Sequence, residues 1–242
     1  MSKFEDLSYL KTISVEIGTG CNLSRWHNKC PAQYMKRNEM EAMTEEQIFS
    51  IMDQAMELNF EGYFAFHFYN EPLMYIAKIA KLREKRPDYK FLLWSNGTLI
   101  KNVLESGYSF DIFDKIVFTR YSESEEEMMN WLKNNHNSVD IYDAEIDDRL
   151  TFYESQEKNY FTCKKIYIEM PIDFCGNIYI CTFDWKGEYI LGNLKKDKLV
   201  DVLKSKQYQS LLSENQGRLR HNSVVELCNN CPRPCLAETV IV

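Results

Sequence analysis

The sequence predicts an α/β protein built on a parallel sheet, with a small metal-bearing appendage after it. Three observations carry this reading. Strand-like runs alternate with amphipathic helical stretches through the first part of the chain, which indicates βαβ units. Those runs are apolar without strict alternation, as expected of strands buried on both faces. Six of the eight cysteines fall in the last third, apart from the sheet-forming part.

The elements follow in order. TISVEIG (12–18) is a β-branched run that ends at Gly18 and Gly20. Residues 44–58 begin with Thr44 as a cap and Gln47 in the capping-box position, and continue with apolar residues at helical spacing. YFAFHFY (63–69) is a second strand, and the amphipathic stretch 73–85 is a helix ended by Pro87. KFLLWSNG (90–97) is a third strand stopped by Asn96-Gly97, followed by a short helix at about 100–106. DKIVFTRY (114–121) is a fourth strand, and 124–135 a helix with acidic residues at its positive end. VDIYDAEI (139–146) reads as a fifth strand. The polar segment 147–160 is the best boundary. Beyond it, 177–194 reads as a β-hairpin turning at Lys186-Gly187, 199–212 as a helix, and the rest as a Cys-rich tail.

Composition narrows the function. A chain of 242 residues with 45% hydrophobic and 27% charged residues is ordinary for a globular protein. Its net charge of −7 argues against a nucleic-acid partner, which would require a basic face. No apolar run approaches the roughly 20 residues that span a bilayer. The opening MSKFEDLSYLKT lacks the apolar core of an export signal, so a cytoplasmic location is expected. In a reducing compartment, cysteines stay free or bind metal.

The cysteines form two groups. Cys228 and Cys231 make a C-x2-C pair, the spacing by which one loop offers two thiolates to one metal, and Cys163 and Cys181 could complete a set of four. Zinc and an iron–sulfur cluster suit four thiolates equally well. Cys235 is a competing ligand, and Cys175, beside Gly176, reads as a packed free thiol. The other group is Cys21 and Cys30 in CNLSRWHNKCP (21–31), with His27 between them, after the first strand. In α/β folds ligands bind at that end of the strands.

Three segments then point to one family. VEIGTGCNLS with the later CP, FHFYNEPLM (66–74) and WSNGTLI (94–100) occur in order, each at the end of an expected strand. Together they resemble the cluster loop, Gly-Glu-Pro segment and Thr-Asn-Gly-Thr segment of the radical S-adenosylmethionine (radical SAM) enzymes. Cys163, Gly176-x4-Cys181 and Cys228-x2-Cys231 resemble the twitch form of the SPASM appendage, which holds one auxiliary [4Fe–4S] cluster.

The resemblance implies a partial (β/α) TIM-like barrel over 1–150 and a twitch-type cluster domain over 151–242. It implies two [4Fe–4S] clusters, S-adenosylmethionine (SAM), and a flavodoxin- or ferredoxin-type reductant. The implied reaction is hydrogen abstraction following reductive SAM cleavage, on a small polar substrate of sugar or aminocyclitol type. Length and layout within the family are similar to those of a dehydrogenase that oxidises an amino-inositol. Two alternatives stand beside this: a peptide- or protein-modifying maturase, and a non-catalytic cluster- or zinc-binding protein. Glu71 is expected to meet the SAM amino group, with Asn70 beside it in place of a family glycine. Ser95 and Asn96 are expected to line the ribose side.

One part departs from the family's C-x3-C-x2-C loop. The simplest alignment is C-x5-H-x2-C, with Cys21, His27 and Cys30 as ligands of the front cluster. Imidazole does ligate such clusters and raises their potential. Three readings stay open: His27 is the third ligand, another residue supplies it, or the front site is empty. Lys29 stands where the family has an aromatic before the last ligand, and the resemblance leaves Trp26 as the expected substitute adenine contact. For substrate, the candidates are Glu16, His67, Arg120 and Tyr121. Each has a plainer reading: strand exposure for Glu16, a satisfied core or barrel-lining role for His67, and low specificity for the other two.

Overall fold

Five parallel strands lie side by side in chain order, as the alternation of the sequence requires. They are β1 (Thr12–Val15), β2 (Tyr63–Ala65), β3 (Phe91–Ser95), β4 (Lys115–Arg120) and β5 (Val139–Asp143). The crossovers carry α1 (Glu45–Glu57), α2 (Ile76–Lys85), α3 (Ile100–Glu105) and α4 (Glu126–Asn135). The computed structural model describes residues 6–25, 30–144, 150, 163–214, 225, 228 and 231. Trp26, His27, Cys235 and the expected boundary segment other than Leu150 therefore lie outside the described residues.

Local chemistry sets the ends of these elements. Thr44 accepts from the Gln47 amide while the Gln47 side chain accepts from the Thr44 amide, closing the expected capping box of α1. The expected helix at 73–85 divides into a 3-10 turn, Pro72–Tyr75, and α2, because Pro72 opens the turn and Glu71 caps it. The helix expected over 199–212 divides into α6 (Leu199–Lys204) and α7 (Lys206–Glu214). Ser205 leaves the helical region between them, and its hydroxyl accepts from the Tyr208 amide, capping the second helix.

Because strand side chains alternate, the sheet has two distinct faces. Ile13, Val15, Phe64, Phe66, Phe91, Leu93, Ile116 and Phe118 share the main core with Ile48 and Met52 of α1 and Ile79 and Leu82 of α2. Each such fully buried side chain contributes about 1.5–3 kcal/mol relative to exposure. The opposite face is more mixed. It carries Ser14 and Glu16 from β1 and the residue after it, Ala65 and then His67, Leu92 and Trp94, and Val117 and Thr119.

The C-terminal part joins the same sheet. After α5 (Lys165–Ile168) comes β6 (Glu169–Ile172), which pairs in parallel with β1 on the side away from β2. β7 (Asn177–Tyr179) and β8 (Ile190–Asn193) follow as an antiparallel pair, giving the order β5-β4-β3-β2-β1-β6-β7-β8. The hairpin expected over 177–194 thus has short strands and a ten-residue connection, 180–189, in which Gly187 takes a φ of +67°. Strand β6 is not among the expected elements, and it contains Pro171. The proline is tolerated because of where its nitrogen faces. Ile172 turns its carbonyl to β1, accepting from the Glu16 amide, so the nitrogen of Pro171 faces the other flank. Pairing with β7 begins only at Ile172, so no ladder bond is lost there.

Candidate cofactor-binding site

The loops that leave β1, β2 and β3 at their carboxyl ends are bonded to one another. Glu71, 3% exposed, is the hub: Ser95 Oγ donates to Oε1 at 2.7 Å, the Leu73 amide to Oε1 at 3.0 Å, and the Asn96 amide to Oε2 at 3.1 Å. Its own amide donates to the Gly20 carbonyl at 2.8 Å, tying the second loop to the first. A carboxylate has about four acceptor positions, and these three donors leave one for an incoming cation. Burial raises the Glu71 carboxyl above its usual value against these hydrogen bonds, so a cationic group beside it would be strongly favoured.

Asn96 joins the third loop to the first. Its Nδ2 donates to Asn22 Oδ1 at 3.0 Å, Asn22 Nδ2 donates to Thr98 Oγ1 at 2.6 Å, and Thr98 Oγ1 donates back to Asn96 Oδ1 at 2.6 Å. Asn70 acts within its own loop: it accepts from the Phe68 amide and donates to the Phe66 carbonyl, both at 3.1 Å. Asparagine therefore holds this bend with its side chain where the family pattern has a glycine.

The first loop is also backed from below. The Gly20 amide donates to the Tyr75 hydroxyl at 2.7 Å, and that hydroxyl donates to Glu39. A Cβ on Gly18 would lie 2.2 Å from the Tyr75 ring, so the close approach requires glycine. Lys78 donates to the carbonyls of Ile17 and Met43.

Glu16 is held by the protein's own donors. It is buried and accepts from Arg37 Nη2 at 2.6 Å and from the amides of Tyr69 at 2.8 Å and Phe174 at 3.2 Å. Arg37 also donates through Nε to the Thr19 carbonyl. Glu16 and Arg37 thus pin together the chain ends after β1, β2 and β6. Arg120 lies in ion pairs with Glu126 and Asp143, and Tyr121 is exposed. His67 is half-buried on the mixed face with its ring 5.5 Å from that of Trp94. Below it, burial would raise Glu169, but the charges of Lys165 and His67 and hydrogen bonds from Lys165 and Ser14 prevail and hold it at about 2. Sequence reasoning missed Arg37, Tyr69, Tyr75 and Asn22. Only the two glycines of the first loop hinted at a bulky group packed beneath it.

The thiols respond to one another. Burial pushes Cys21 up to about 11, Glu71 and Cys30 add to this, and the Leu23 amide and Arg37 oppose it. Burial pushes Cys181 well up, and Cys228, Cys163 and Cys231 push it further. Cys181, Cys228 and Cys231 all pack against the main core. The amides of Lys165 and Phe183 donate to the sulfurs of Cys163 and Cys181, both at 3.4 Å. Cys175 instead faces Glu41, its sulfur 3.7 Å from the carboxylate. Among the described residues, no three His, Cys, Asp or Glu side chains are arranged to hold a metal ion. The donor chemistry nevertheless fits one. Crowded, buried thiols resist ionisation unless a metal cation supplies charge, and amide donors to sulfur are a usual feature around iron–sulfur clusters.

Comparison with known proteins defines the class first. Residues 163–232 match the SPASM family, an iron–sulfur cluster-binding domain, so the rear cysteines belong to such a domain. The whole chain is then similar to the S-adenosyl-L-methionine-dependent 2-deoxy-scyllo-inosamine dehydrogenase of Niallia circulans: 23% identical over 236 residues, 90% of this chain and 91% of the relative. Among solved structures, BtrN in complex with AdoMet and 2-DOIA matches with a TM-score of 0.72 at 20% identity, covering 93% of each chain. BtrN in an open conformation matches with a TM-score of 0.67 at 20% identity, covering 96% of this chain and 94% of BtrN. SuiB of Streptococcus suis, bound to S-adenosylmethionine, matches with a TM-score of 0.50 at 15% identity, over 95% of this chain and 73% of SuiB. The chain therefore has the expected α/β fold, with a SPASM domain at its C-terminal end. Among the described residues no helix is long and apolar enough to cross a membrane.

Proposed function

We propose that this chain is a radical SAM oxidoreductase that oxidises a small polar substrate of the aminocyclitol or sugar type. The observation that carries the reading is the locking of three strand-end loops around Glu71, with Cys21 and Cys30 on the first of them. The similarity to a SAM-dependent aminocyclitol dehydrogenase along nine-tenths of the chain supports the substrate class.

Cys21 and Cys30 would hold the front cluster, with His27 as the third ligand, and Cys163, Cys181, Cys228 and Cys231 the auxiliary one. When bound, the front cluster and SAM supply the hydrogen-abstracting chemistry. The protein's own part is to orient and to exclude water. The open acceptor position of Glu71 would receive the SAM ammonium, and the Asn22–Asn96–Thr98 network would shape the wall beside it. His67, with Trp94 beside it on the mixed face, would contact substrate. The one-electron supply would come from a flavodoxin- or ferredoxin-type protein in the cytoplasm. Residues 1–150 would be the SAM-binding body and 151–242 the auxiliary-cluster unit.

Anaerobic reconstitution with iron and sulfide tests the reading. It expects about eight irons per chain, the content of two [4Fe–4S] clusters, and dithionite-dependent formation of 5′-deoxyadenosine. About four irons without SAM cleavage would overturn it. A His27→Cys variant with unchanged front-cluster content and spectrum would remove His27 from the ligand set.

A further inference from the structure

Tyr69 connects the two cysteine regions. Its backbone belongs to the front site: the amide donates to Glu16 at 2.8 Å, and the next two residues are Asn70 and Glu71. Its hydroxyl, at the far end of the ring, donates to the carbonyl of Thr182, the residue after Cys181. The ring is 5% exposed and meets Phe68 edge-on at 4.4 Å. Both pack in a small cluster with Ala32 and Tyr179, against which Cys30 and Trp185 also lie. One rigid side chain thus touches the packing around Cys30 and the backbone beside Cys181.

In the loop that carries Cys181, Phe183 and Tyr189 pack on the main core, and local bonds set the turn. The Asp184 carboxylate accepts from the amides of Glu188 at 3.0 Å and Tyr189 at 2.9 Å, and the Asp184 amide donates to the Cys181 carbonyl. Bonds of this kind fix the form of a loop but not its distance from the sheet. A hydrogen bond from an element rooted elsewhere does fix that distance. An aromatic ring serves well here, since it has few torsions to freeze and its buried hydroxyl must find a partner.

We propose that Tyr69 is a positioning residue that sets the separation of the front and rear metal sites, by tying the Cys181–Thr182 backbone to the β2 loop. The proposal rests on the two-site reading above, although the tether itself can be tested without metal. The variant is Tyr69→Phe, which removes only the hydroxyl. Its control is Tyr9→Phe, which removes a hydroxyl paired with Tyr208 at 2.9 Å elsewhere in the core.

In metal-free protein, amide hydrogen exchange over 181–189 is expected to rise about tenfold in Tyr69→Phe and to stay unchanged in Tyr9→Phe, the usual result of losing one hydrogen bond. In reconstituted protein, Tyr69→Phe is expected to keep its iron content. The mutual broadening of the two reduced clusters' electron paramagnetic resonance signals should change. Unchanged exchange, or an equal rise in both variants, overturns the tether. If the wild-type protein binds about four irons and cleaves no SAM, the functional reading fails while the exchange comparison still decides the tether.

Discussion

The front and rear cysteine regions are built in opposite ways. At the front, three consecutive loops are joined by side-chain and backbone hydrogen bonds through Glu71, Asn96 and Asn22, and the first loop is backed by Tyr75. At the rear, thiols from separated parts of the chain, Cys181, Cys228 and Cys231, pack against the main core. Among the described residues, the front loops are thus joined by the protein's own side-chain bonds, whereas the bonds at the rear thiols are the amides of Lys165 and Phe183 on the sulfurs of Cys163 and Cys181. On the proposed function, the comparison separates two ways of making a metal site: one shaped before the cofactor arrives, the other finished by it.

The largest expected effect tests the front scaffold without metal. Glu71→Ala strands the buried donors of Ser95, Leu73 and Asn96. It should cost about 4 kcal/mol, since each orphaned donor costs about 1–3 kcal/mol before relaxation. Urea unfolding of the metal-free protein measures it, and a loss below about 1 kcal/mol would break the contrast between the two regions.

Next in size is the acid response of the seam between them. The folded carboxyl of Glu169 lies at about 2 against an ordinary 4.5. Its contribution is therefore fully present above pH 4.5 and is lost as pH falls toward 2. The difference corresponds to about 3 kcal/mol. Glu169→Gln should flatten the pH dependence of unfolding in that window, and an unaltered acid limb would remove Glu169 from the account.

Gly18→Ala drives a methyl group into the Tyr75 ring and should lower front-loop stability by about 2 kcal/mol. The measure is the melting temperature together with iron retention after gel filtration.

The rear should show the reverse pattern. Cys181→Ser should change metal-free stability by less than about 1 kcal/mol yet remove about four irons on reconstitution. Cys175→Ser, next to Glu41 and away from that group, should leave the iron count unchanged.

Much of the fold was legible in the sequence. The alternation of runs gave the five parallel strands, and Thr44 and Gln47 gave the start of α1 with its capping box. What was hidden had a physical cause in each case. β6 reads poorly because a proline in a central strand argues against the strand, and only the absence of a β7 partner at Pro171 makes it possible. The split at Ser205 depends on a hydroxyl turning from solvent to cap the next helix, while the surrounding apolar spacing continues unbroken.

The candidate site divides in the same way. The cysteine spacings and the Asn70-Glu71-Pro72 and Ser95-Asn96-Gly97-Thr98 segments stood out because their chemistry is local. Arg37 and Tyr69 did not, because their partners, Glu16 and Thr182, are distant in the chain. Glu16, a substrate candidate from its place at the end of β1, accepts from three donors that no local pattern announces.

The position of β1 has a consequence for synthesis on the ribosome. This first strand ends up in the interior of the sheet, with Thr12 beside Tyr63 on one flank and Glu169 on the other. While the chain is emerging, β1 to β5 can assemble in order, but one edge of β1 stays open until β6 has been made. A nascent chain in that state presents an unpaired apolar strand edge, the kind that recruits neighbouring chains. Expression at lower temperature or with more chaperone should therefore raise the soluble yield. Truncation before residue 169 should yield a product that aggregates, even though it contains every residue of the front site.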